Sequence, residues 1–172
     1  VNQQASDNTI TLQSDTLDDT IAIGQAIGQH AIDLDIIALV GDLGAGKTQF
    51  VRGLATGMNL YPHAVSSPTF VIMHEYDTEE GAPLVLVHID AYRLETKDDL
   101  ASIGWTGDGH DFRSGAVVAI EWANLIDWAL DEHTLLVDIA HQDPGRKITF
   151  TPGKHWAKRL QEISFPNQTL TP

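Results

Sequence analysis

The residues that point to chemistry begin at Gly41-Asp42-Leu43-Gly44-Ala45-Gly46-Lys47-Thr48, a full match to the phosphate loop (Walker A) pattern G-x-x-x-x-G-K-[ST]. In such a loop, glycines let the backbone close around phosphate oxygens, and consecutive N–H groups from Asp42 through Thr48 face the anion. Lys47 is expected to be a surface-facing charge in the free protein, able to reach the β- and γ-phosphates. The Thr48 hydroxyl is expected on Mg²⁺. An NTPase of this class also needs a carboxylate at the end of a buried strand. Two qualify, Asp90 after Leu84 to Ile89 and Glu121 after Ala116 to Ile120. One can serve the metal while the other orients or deprotonates a water.

The elements around these residues suit that chemistry. Ile36 to Val40 is a continuous apolar run, as in a strand buried on both faces. Phe50, Val51, Leu54 and Met58 then recur at helical spacing. Upstream, Thr9 to Leu12 alternates like a strand. Ser14 or Asp15 is expected to cap a helix with Leu17, Ile21, Gly24, Gly28 and Ala31 on one face, whose glycines suggest close packing. Val71 to Tyr76 and Leu84 to Asp90 read as an antiparallel hairpin around the polar turn Asp77 to Gly81. A helix starts at Thr96 or Lys97 and stops at Gly104, and Trp105 to Ser114 reads as a mobile surface loop. Leu125 to Leu130 reads as a short helix. A second hairpin turns at Asp143-Pro144-Gly145, and Trp156, Leu160 and Ile163 mark a last helix. Trp128 and Trp156 are expected in the core. The fold expected is α/β, a P-loop NTPase-like, mostly parallel sheet flanked by helices, with antiparallel hairpins added. One domain is expected over 1–172, with 165–172 frayed.

Composition narrows the partners. The 24 acidic and 10 basic residues give a net charge of −14, which argues against independent binding to a nucleic-acid backbone. The apolar runs are too short to span a membrane. Val1 to Asp7 is polar, and the chain has no cysteine, which suits a cytoplasmic setting. The eight histidines show no H-x-x-x-H or E-x-x-H pairing and have no cysteine partners, which speaks against a zinc motif. His74 and His88 are expected opposite each other in the hairpin, as a packed or surface pair.

Several blocks together resemble the TsaE (YjeE) family, P-loop ATPases required for N6-threonylcarbamoyladenosine in tRNA. They are the phosphate loop, Ser67-Pro68-Thr69-Phe70, Glu75-Tyr76, His88-Ile89-Asp90-Ala91-Tyr92-Arg93-Leu94, Asp99-Leu100 to Gly104, and Ile120-Glu121-Trp122. The loop alone is generic; S-P-T-F, then H-x-D-x-Y-R-L, then E-W is specific. The resemblance implies that Lys47 and the loop amides bind ATP phosphates, and that Thr48 and Glu121 ligate Mg²⁺. It also implies that Asp90 is the acid near the γ-phosphate. Ser67 and Thr69 lie in the part that resembles a switch-like loop, and Trp122 stands beside the nucleotide. The implied activity is Mg²⁺-dependent conversion of ATP and water to ADP and phosphate. The implied partners are TsaB and TsaD counterparts, with tRNA reached only through them. Ala123 stands where the family often has Pro, and Gln49 where a second Thr is usual. Leu12 to Thr16 and Arg146 are candidates for base contacts. Arg52, Arg93 and Arg113 could act as arginine fingers. Two other readings stay open. One is a small-molecule kinase, although the five arginines form no lid-like cluster. The other is a nucleotide-dependent switch with little turnover.

Overall fold

The computed structural model describes residues 8–61, 65–66, 68, 72–76, 84–105 and 113–166. Its elements are β1 (Ile10–Ser14), α1 (Leu17–Gly28), β2 (Ile36–Val40), α2 (Lys47–Gly57), β3 (Met73–Tyr76), β4 (Val85–Asp90), α3 (Lys97–Ser102), β5 (Ala116–Glu121), β6 (Thr134–His141), β7 (Arg146–Pro152) and α4 (Ala157–Glu162). The strands form one sheet in the order β1-β7-β6-β2-β5-β4-β3. Its centre, β6-β2-β5-β4, is parallel. Strands β3, β7 and β1 add to it by antiparallel pairing, so both expected hairpins are present. Every residue of β5 is buried, as its unbroken apolar run requires of a central strand. Among the described residues, no helix is long and apolar enough to cross a membrane.

Helices α1 and α2 pack unusually closely. A Cβ on Gly24 would lie 2.3 Å from the Phe50 carbonyl oxygen, and one on Gly53 would lie 2.0 Å from that of Ile21. Only glycine permits this approach, and both helices supply it. The buried face of α1 is Thr20, Ile23, Gly24, Ala26, Ile27 and Gly28. Leu17, expected on that face, is instead 49% exposed at the helix start. The cap is Thr16, not Ser14 or Asp15: its hydroxyl accepts from Asp19 N–H while Asp19 returns a bond to the Thr16 amide. Ser14 ends β1, and its hydroxyl pairs with Thr20 Oγ1 at 2.7 Å. Thr96 caps α3 in the same reciprocal way, as expected.

Other expectations need adjustment. Leu125 to Leu130 forms no α-helix but falls within two 3-10 turns, Ala123–Leu125 and Asp127–Ala129. Trp128 is 44% exposed there, whereas Trp156 is in the core. Within the expected surface loop, Trp105 to Ser114, Trp105 and Arg113 are buried, with the guanidinium 4.8 Å from the indole centroid, while Ser114 is exposed. Residues 106–112 lie outside the described set, as do 77–83 and 167–172. Phe165, expected to fray, stacks on Phe150 with ring centroids 5.5 Å apart.

Candidate functional site

The parallel strands bring the chemistry-bearing residues to one edge. In register, Asp90 ends β4 directly beside Glu121 at the end of β5, and Glu121 pairs with Leu39 of β2. The phosphate loop leaves β2 at that same edge, where open α/β folds bind ligands. Gly41 takes φ +142°, and a Cβ there would lie 2.3 Å from the Ile139 carbonyl oxygen. Gly46, at φ +112°, turns the chain into α2. L side chains rarely adopt either conformation, which glycine takes at little cost.

Lys47 is not the surface charge expected: it is 4% exposed. Its Nζ donates to the Gly41 carbonyl at 2.7 Å and the Asp42 carbonyl at 3.0 Å. It also sits 3.8 Å from the Trp122 ring centroid, a cation–π contact. Burial pulls its pKa below the ordinary lysine value, against the opposing attraction of Glu121, Asp90 and Asp42. Trp122 holds this place with φ +60°, a left-handed conformation uncommon for a bulky residue, and its ring also meets Tyr92. Such local strain concentrates at functional positions.

Thr48 Oγ1 donates to Glu121 Oε1 at 2.7 Å. Two oxygens that close suit Mg²⁺, whose octahedral ligands at 2.0–2.1 Å lie about 2.9 Å apart. Glu121 Oε1 has a second neighbour, His88 Nε2, at 3.0 Å. A carboxylate only accepts, so His88 donates through Nε2. Its Nδ1 is buried without a hydrogen-bond partner. His88 does lie opposite His74 in the hairpin register, yet its bond is to the acid on the neighbouring strand. The signal was its place two residues before Asp90, which puts both side chains on one face of β4. Asp90 is 4% exposed, and Oδ1 accepts the Tyr92 N–H at 3.0 Å.

A cavity of about 480 Å³ joins these groups, bordered by Lys47, Thr48, Asp90, Glu121, Trp122 and, on its far side, Arg146. Leu43 and Gly44 of the loop line it too, and Leu43 is 86% exposed. Arg146 Nε bonds the Ala45 carbonyl, which fixes the side chain over the loop. Of the expected base contacts, Arg146 therefore stands at the cavity, but Leu12 and Ser14 are buried away from it, and Leu17 lines it instead. Arg52 bonds Val65 O and Gln49, and Arg113 pairs with Asp131; neither lines this cavity, nor does Arg93. Ser67, Thr69 and Phe70 lie outside the described residues.

The family model for threonylcarbamoyl adenosine biosynthesis protein TsaE matches residues 14–148. The Bacillus subtilis tRNA threonylcarbamoyladenosine biosynthesis protein TsaE is 37% identical over 150 residues, covering 86% of this chain and 89% of that protein. The Treponema pallidum protein of the same name is 33% identical, covering 76% of this chain and 92% of that one. The crystal structure of Bacillus subtilis YdiB superposes with a TM-score of 0.67 at 30% identity, covering 90% and 92% of the two chains. With the phosphate loop, the two strand-end acids and these matches in agreement, the chain belongs to the TsaE family of threonylcarbamoyl adenosine biosynthesis proteins.

Proposed function

We propose that the chain is an ATP-hydrolysing accessory protein of tRNA N6-threonylcarbamoyladenosine synthesis, a single P-loop ATPase domain acting in the cytoplasm through TsaB and TsaD counterparts. The observation that carries the reading is the Thr48–Glu121 pair at 2.7 Å, set between Lys47 and Asp90 at one sheet edge. Such a set serves phosphoryl chemistry, in which positioning and charge do most of the work.

ATP is the substrate. The loop amides from Asp42 to Thr48 and the Lys47 ammonium would hold its phosphates; Lys47 would exchange its two carbonyl partners for phosphate oxygens. Thr48 and Glu121 would hold Mg²⁺, which when bound neutralises charge on the β- and γ-phosphate oxygens. Asp90 would accept a proton from the water whose oxygen bonds the γ-phosphorus as the bond to the β–γ bridging oxygen breaks, giving ADP and phosphate. Thr69 would help hold that water or sense the γ-phosphate, and Trp122 would flank the nucleotide beside Lys47. His88 orients the Glu121 carboxylate.

The net charge of −14 supports contact with tRNA through partner proteins rather than directly. The test is single-turnover ATP hydrolysis by Asp90→Asn beside the wild type. The reading expects Mg·ATP affinity kept and the rate cut by about 10²–10⁴-fold. An undiminished rate removes Asp90 from the reaction.

A further inference from the structure

At the opposite edge of the sheet, two turns bring together three side chains that the nucleotide site does not use. Glu132 and His133 precede β6, and His155 follows β7. The backbone fixes these turns against each other. Gly153 N–H donates to the Thr134 carbonyl at 2.7 Å, and His155 N–H donates to the Glu132 carbonyl at 3.2 Å. A Cβ at Gly153 would come within 2.7 Å of both the Glu132 and the Thr134 carbonyl oxygens, so the approach is as close as a glycine allows. On this frame the two imidazoles stack, with centroids 4.1 Å apart and planes 6° from parallel. The Glu132 carboxylate meets His155 Nε2 at 3.3 Å. One ligand atom from each of the three lies within 4.8 Å of the others.

We propose that Glu132, His133 and His155 form a binding site for a divalent transition metal of the zinc class. Ligands about 2.05 Å from a tetrahedral ion lie about 3.3 Å apart, which the Glu132–His155 pair already matches. Glu132 and His155 are exposed and His133 is half-buried, so their side chains have room to turn, and the two rings would splay from their stack to share one ion. Two imidazoles and a carboxylate are the donor set of open zinc sites, with the fourth position left to water or an external ligand. The second Glu132 oxygen is 3.7 Å from Lys154 Nζ. Sequence spacing could not show the site, because its two histidines come from turns on either side of the β6–β7 hairpin. It is separate from the nucleotide site: Thr134 pairs with Ile36 at the start of β2, whereas the phosphate loop leaves after Val40.

The test is calorimetric titration of the folded protein with Zn²⁺ in excess Mg²⁺, with thermal melting in parallel. One saturable zinc per chain is expected, with a rise in Tm. His133→Ala and His155→Ala should each weaken binding by at least about tenfold and remove the Tm rise, while keeping the metal-free Tm and ATP turnover. Glu121→Gln, which alters the nucleotide site, should still bind that zinc. Absence of saturable zinc binding in the micromolar range, or binding indifferent to both histidine variants, or binding lost in Glu121→Gln, would overturn the proposal.

Discussion

Gly53→Ala places one methyl group where α1 and α2 leave no room for it. The added Cβ would sit 2.0 Å from the Ile21 carbonyl oxygen, when real Cβ atoms essentially never come within 3.0 Å of a neighbour. The atom in the way is backbone, so relief requires the helices to part by about 1 Å. Overpacking of this kind costs about 1–3 kcal/mol and more when the backbone must move. Alanine returns about 1 kcal/mol through its higher helix propensity. The steric term lies at the upper end of its range, and the net loss is about 2 kcal/mol or more. For a chain of this size that lowers Tm by about 4–8 °C. The consequence reaches function because α2 begins with Lys47 and Thr48. A shift of about 1 Å in α2 displaces both from the phosphate positions, and misplacement of that size can cost about 10²-fold in rate. Thermal melting and Mg·ATP turnover of the same preparation test both effects. A variant with unchanged or raised Tm would show that helix propensity outweighs the contact and would refute the reasoning.

Four further outcomes follow from the same geometry. Lys47→Ala should lose measurable ATP affinity by calorimetry while keeping its circular dichroism spectrum, because loops and helices around it stay packed. Glu121→Gln should raise the Mg²⁺ concentration needed for half-maximal turnover, whereas His88→Ala should raise it less, since only an orienting bond worth about 1.5–3 kcal/mol is removed. The Asp99 carboxyl is held below its ordinary pKa by Thr96, so its contribution to α3 is present above the usual aspartate range and lost as pH falls through the lowered value; Asp99→Asn should flatten that acid limb of stability. Binding of isolated tRNA at physiological salt should be negligible in a filter or anisotropy assay, because a chain of charge −14 releases few counterions from a polyanion.

Much of this was legible from the chain itself because the signals are local. The apolar runs of β2 and β5 have few conformations open to them in a folded chain. The phosphate-loop glycines name their own backbone geometry, and a carboxylate after a buried strand must emerge at the sheet edge. What escaped depends on residues distant in sequence. Which acid stands beside which is a matter of strand order, and only the β4–β5 register puts Asp90 next to Glu121. His88 does face His74 in the hairpin, but its bond to Glu121 crosses to another strand. Lys47 is buried because Trp122, from β5's exit, folds over it. Residue type does not single out the cap of α1, because Ser14, Asp15 and Thr16 are all good caps. Strand β1 takes in Ser14, and the reciprocal bonds with Asp19 single out Thr16. Gly24 and Gly28 of α1 lie against the backbone of Phe50, Leu54 and Gly57, while Gly53 and Gly57 of α2 lie against that of Ile21 and Gln25, a match that neither helix reveals alone.

The central claim is ATP turnover coupled to partner proteins, and the most direct measurement is the steady-state rate of ADP formation by this chain with and without its TsaB and TsaD counterparts. The expected result is a Mg²⁺-dependent rate that rises when the partners are added and vanishes in Lys47→Ala with the partners present. A rate indifferent to the partners, or one that persists in Lys47→Ala, would contradict it.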